Sequence, residues 1–142
     1  MIRKDIYVAE WDWTVHAFFA VTEYWVDDIM DLLWDMECDS EHARRAYENL
    51  TSGELNTGLC YSNYVMKRSV MVIAKTSSAE EFFNSYIHEA CHLQSHVCNV
   101  YNLSPSGEEI AYFIGEISRD LFPHIKHLLC DCCRTEYMED YD

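Results

Sequence analysis

Two histidines four residues apart, His88 and His92, stand in the run His88-Glu89-Ala90-Cys91-His92, inside a stretch from Asn84 to His96 that reads as helix. Residues four apart on a helix lie one above the other, so both imidazoles share one stripe. Such a pair supplies two corners of a tetrahedral zinc site. Glu89 lies about 100° further round the helix, where a carboxylate stands beside a metal without binding it and accepts a proton from bound water. The neighbours Ser85, Tyr86, Ile87, Ala90, Cys91 and Leu93 are uncharged, as a buried helix requires. Five residues also match such a pattern by chance, so its weight rests on what surrounds it.

A length of 142 residues is that of one domain with a real core, and only 4 Gly and 2 Pro argue for an ordered chain. The N-terminus leads into alternating apolar residues, and no apolar run reaches the length of a signal segment or a membrane span. The expectation is a cytoplasmic protein without a membrane partner. Net charge is −15, from 25 acidic and 10 basic side chains. A chain so short of Lys and Arg repels phosphate backbones and excludes nucleic-acid binding. Its acidity serves solubility, a basic partner or substrate, or imitation of nucleic acid. Seven cysteines in irregular places read as reduced thiols rather than a disulfide framework.

Alternation predicts strands over residues 5–10 and 13–21, linked tightly near Trp11 and Asp12. Trp25, Ile29, Leu32, Leu33 and Met36 at helical spacing, with Asp27, Asp28, Asp31 and Asp35 opposite, predict an amphipathic helix over residues 24–36. Asp39 or Ser40 caps a second helix that Gly53 ends. Strands return at 59–64 and 68–74, and Val70 to Ile73, apolar on both faces, belongs in the sheet interior or on a substrate-facing edge. Ser77 and Ser78, with Glu80 and Glu81, offer capping boxes for the histidine helix. One side of that helix is apolar through Phe83, Tyr86, Ile87, Ala90 and Val97; the other carries Ser85, His88, His92, His96 and Asn99. A last helix runs from about Glu108 through Phe122 and is kinked or restarted at Pro123. The whole is a single small α+β domain, with an antiparallel or mixed sheet, the histidine helix and a second, ligand-bearing helix.

A zinc site needs a third protein ligand, and the candidates are His96, Glu108, Glu109 and Glu116. His96 lies about 12 Å along the helix from His88, too far to share an ion, and reads as a plain surface histidine or, at best, a residue of the cleft that supports the ligands. Glu109 completes a capping box if Ser106 is the N-cap. Glu108 shares a face with Ala111, Gly115 and Ser118, small residues that let two helices approach, and is the choice. If the histidine helix instead continues to Tyr101, Glu116 comes level with the histidines and is the rival.

Glu108-x-x-Ala111-x-x-x-Gly115, after His88-Glu89-x-x-His92, resembles the second motif of the gluzincin metallopeptidases over roughly residues 80 to 120. The resemblance implies a zincin-like domain with one zinc per chain, ligands His88, His92 and Glu108, and Glu89 as general base. Where that family has Asp four residues after the ligand, this chain has Tyr112, either a donor to the oxyanion or a packing residue. The chain as a whole is similar to small proteins carried by phages and mobile elements of gut bacteria. The expected function is hydrolysis of a peptide or protein substrate, basic if the charge is a guide. The alternatives are an acidic, non-enzymatic interaction protein and an inactive zincin-like fold with structural zinc. His124, His127, Cys130, Cys132 and Cys133 form a second metal-capable cluster, but their spacing suits a zinc site poorly.

Overall fold

The computed structural model describes residues 1–133. The acidic end of the chain, Glu139 to Asp142, lies outside them. Four strands, β1 (Ile2–Val8), β2 (Trp13–Val21), β3 (Gly58–Asn63) and β4 (Arg68–Ala74), form one mixed sheet in the order β1-β2-β4-β3. The β1–β2 and β3–β4 pairs are antiparallel and β2–β4 is parallel. Wholly among the described residues are the α-helices α1 (Val26–Asp35), α2 (Ser40–Thr51), α3 (Ala79–Tyr101) and α4 (Glu108–Ile125).

Alternation decides which side chains meet which layer. Val15, Ala17 and Phe19 of β2, with Met71 and Ile73 of β4, pack against α3 and α4. Phe18 of β2, with Val70 and Val72 of β4, packs against α1 and α2. The sheet is therefore covered on both faces, a three-layer α+β domain. Val70 to Ile73 sits between β2 and β3, so β4 is interior and the accessible edge beside it is β3. Near its end β2 shifts register between Phe18 and Val21, with Ala20 at φ 56°. This bulge reverses the alternation, and Val21 joins the α1–α2 face instead of the face that Phe19 serves.

Local signals set most boundaries. Asp12, in a left-handed conformation (φ 49°), closes the β1–β2 connection after a short 3-10 turn at Ala9–Trp11. Asp39 caps α2 by accepting the His42 N–H, and Ser78 caps α3 by accepting the Glu81 N–H. Nothing between Ala79 and Tyr101 breaks a helix, and α3 ends only where Asn102 turns left-handed (φ 54°) and Leu103 N–H donates to Cys98 O.

Three expectations fail at this level. Phe83 and Ile87 are exposed, and the core face of α3 runs through Phe82, Tyr86, Ala90, Leu93 and Val97. The last helix does not restart at Pro123 but runs through it to Ile125. Gly107, not Ser106, is the N-cap of α4, so Glu109 falls at the second helical position and builds no capping box.

Candidate functional site

Helix α3 lies under β3 and β4, while α4 lies on the β1 side of the same face. Its flank toward β3 carries Ser85, Glu89 and His96, and its flank toward α4 carries Tyr86, whose hydroxyl lies 2.7 Å from Ser118 Oγ. At its N-terminus the Ala79 N–H donates to Asp131 Oδ1 at 2.7 Å. The helix is thus held at one end, along one side and over the sheet.

His88 Nε2 and His92 Nε2 are 3.3 Å apart. Two nitrogens of one tetrahedral zinc, with bonds of about 2.05 Å, are separated by about 3.3 Å. Both imidazoles therefore already stand at the spacing that a shared ion imposes. Both are exposed. Glu89 is not: its side chain is 7 % exposed, and its Oε1 lies 4.0 Å from His88 Nε2. It reaches that position because Gly58 of β3 has no side chain; a Cβ there would stand 3.1 Å from Glu89 Oε1. Burial pushes the Glu89 carboxyl above the usual carboxylate range, opposed by the neighbouring His88 and His92. A carboxylate so raised is better matched to accepting and releasing a proton near neutrality. Asn49, Asn84, Gly58 and Thr57 complete a cleft of about 300 Å³ around His88 and Glu89.

The carboxylates expected as third ligand are elsewhere. Among the described residues no three His, Cys, Asp or Glu side chains are grouped to hold a metal ion. Glu108 and Glu109 are exposed at the first turn of α4 and Glu116 is half-buried further along. The reason is lateral: α4 packs toward β1, whereas the histidines face the β3 edge across α3. Unbroken continuation of α3 to Tyr101 removes Glu108 as expected. It does not bring Glu116 in, because level with the histidines is still the wrong side of α3. Of the small residues expected to bring the helices together, Ser118 meets Tyr86 of α3, while Gly115 has nothing within 4 Å of where a Cβ would stand. Tyr112 is 66 % exposed on the outer face of α4 and belongs to no cleft with Glu89. The histidine pair has the spacing of two ligands of one zinc, with Glu89 beside it, and among the described residues no third donor joins them.

His96, read from spacing as a surface residue, is half-buried and tied to the sheet. Trp13 Nε1–H donates to Ser69 Oγ (2.8 Å), Ser69 lies 2.7 Å from Ser62 Oγ, and Ser62 lies 2.7 Å from His96 Nδ1. Indole can only donate. Ser69 Oγ therefore accepts at the head of a line that joins the indole through two hydroxyls to Nδ1. Burial, and then the nearby His92, hold the His96 imidazole below its ordinary pKa. Two serines at facing positions of β3 and β4 are the only trace of this relay in the sequence, because Trp13 reaches them from a third strand.

The free edge of β3 faces the same region. Ala74 N–H donates to Thr57 O, so in this antiparallel pair Thr57, Leu59 and Tyr61 point their backbone groups at β4. Gly58, Cys60 and Ser62 point theirs outward. Asn49 Nδ2–H donates to Gly58 O at 2.9 Å.

At the other end of the chain Cys130, Cys132 and Cys133 are exposed, and His124 and His127 are half-buried. The N–H and thiol of Cys133 and the N–H of Cys132 bond to the Cys130 sulfur and hold that thiol below its ordinary value. The set forms no metal group among the described residues. Also among them, no helix is long and apolar enough to cross a membrane. No family model, no curated protein and no solved structure matches this chain.

Proposed function

We propose that the protein is a zinc-dependent hydrolase acting on a peptide or protein, with His88 and His92 as metal ligands and Glu89 as the proton-transfer group. The observation that carries this reading is the 3.3 Å separation of the two Nε2 atoms beside a buried carboxylate. A zinc ion bound there supplies Lewis acidity and an activated water. The chain supplies the rest. Glu89, desolvated against Gly58, accepts a proton and returns it to the leaving amine. The outward backbone groups of Cys60 and Ser62 offer pairing to an extended peptide, so the strand-addition role expected of Val70 to Ile73 passes to β3. Glu108, Glu109, Glu116 and Tyr112 have no part in it.

The test is zinc per chain in protein purified without added metal, with hydrolysis of a casein or gelatin substrate measured alongside. One zinc is expected, lost in His88→Ala and in His92→Ala and kept in Glu108→Ala. Glu89→Gln is expected to keep zinc and lose hydrolysis. No zinc in a folded protein, even after metal is added, overturns the proposal. An acidic, non-enzymatic interaction protein is then the better reading, favoured by the exposed Asp27, Asp28, Asp31 and Asp35 along α1.

A further inference from the structure

Strands β2 and β4 are parallel, and the chain leaves their carboxyl ends in opposite directions, from Val21 toward α1 on one face and from Ala74 toward α3 on the other. Between two such departures an open α/β sheet leaves a crevice, the usual place for a ligand. A hollow of about 630 Å³ occupies that position here, within the range of about 300–1,000 Å³ typical of ligand pockets. Its apolar walls are Val21, Trp25, Leu50, Leu55 and Ala74. Leu55 is 52 % exposed, an apolar group left uncovered on the loop from α2 to β3. Ala20, buried and left-handed, holds the bulge that turns Val21 to this face. Asn49 and Thr57 line both this hollow and the cleft of His88 and Glu89, so the two share a wall.

We infer that this hollow is the specificity pocket of the site, taking a large apolar side chain, aromatic or branched aliphatic, from a peptide held at the His88–Glu89 cleft. The inference rests on the peptide-hydrolase reading above. Continuity decides the occupant: a chain paired with the outward groups of Cys60 and Ser62 on β3 runs on to Asn49, which holds Gly58 O, and to Thr57, and both of these line the hollow. Charge does not select against an apolar group, because the charged lining residues Glu23, Glu54 and Lys75 are of both signs.

Binding, not turnover, tests it. Capped peptides Ala-Ala-X-Ala-Ala, with X as Phe, Leu, Arg or Asp, are titrated into the Glu89→Gln protein and followed by calorimetry. Burying a Phe or Leu side chain is expected to tighten binding about tenfold to a hundredfold over X as Asp. Ala74→Phe, which fills the hollow from within, is expected to bring the four peptides within twofold of one another, with zinc content unchanged. Equal binding of all four by the unfilled protein, preference for Arg, or a preference that survives Ala74→Phe overturns the inference. A Phe and Leu preference in protein that takes up no zinc leaves the pocket standing and removes the hydrolase; zinc without preference does the reverse.

Discussion

Substituting alanine at Gly58 and at Gly115 should move stability in opposite directions. Neither residue needs a conformation reserved for glycine, since only Gly53 among the glycines has a positive φ. Alanine would restrict the unfolded chain at both. At Gly58 the new Cβ would stand 2.6 Å from Val72 O, against 3.4 Å or more for ordinary contact, so a backbone atom of the adjacent strand must move by 0.8 Å (3.4 less 2.6). The same Cβ would press on Glu89 at 3.1 Å. Overpacking of this kind costs about 1–3 kcal/mol, or roughly 3 to 10 °C in Tm for a chain near this length. At Gly115, exposed within α4, a Cβ meets nothing, and alanine should gain about 0.5–1 kcal/mol of helix stability. Urea unfolding followed by circular dichroism measures both. A Gly58→Ala protein as stable as the parent would refute the close approach of β4 and Glu89 to Gly58, and with it the account of how Glu89 is buried. A loss of stability in Gly115→Ala would mean that α4 is packed on the face described as open.

The hydroxyl relay makes a second prediction: Ser69→Ala leaves the buried Trp13 N–H without its acceptor and should cost about 1–3 kcal/mol in urea unfolding, whereas Ser62→Ala, which spares that bond, should cost less. Glu89 supplies a pH dependence in metal-free protein. Its carboxyl is raised in the folded state, so ionisation opposes folding as pH climbs through the folded pKa and has no effect where folded and unfolded forms are both protonated. Glu89→Gln should accordingly be more stable than the parent at pH 7 in excess chelator, with the advantage vanishing below the unfolded value of about 4.3. A constant difference from pH 3 to 8 would show that packing, not charge, separates them. Asn49→Ala should free Gly58 O and weaken the start of β3, giving faster amide exchange at Leu59 and Tyr61 than at Val70 and Val72. Equal protection in parent and variant would count against that role.

Much of the fold is written in short-range pattern. The four strands, the amphipathic face of α1, the Asp39 and Ser78 caps and the four-residue spacing of His88 and His92 are local properties that the structure realises, except that the first strand, expected over residues 5–10, spans Ile2–Val8 and gives way to a 3-10 turn at Ala9–Trp11. Periodicity also places Glu89 off the histidine stripe. It does not say which way that side chain faces, and here it turns inward against Gly58. Periodicity fixes a helix face only to within one neighbour, so Phe83 and Ile87 fit the apolar pattern yet are exposed, and Phe82 and Leu93 fill the core.

What the sequence by itself determined, then, is the set of elements and the local spacing of His88, Glu89 and His92 on one helix, because both follow from interactions among residues a few positions apart. Tertiary structure alone decided the rest. It set the side of α3 on which α4 packs, which removes Glu108, Glu109 and Glu116 from the histidines. It made β3 rather than β4 the free edge, tied His96 through two strands to Trp13, and placed the apolar hollow against the cleft. Those outcomes depend on strand order and on which sheet face each helix covers, and a helix or strand pattern reads the same whichever neighbour it is packed against.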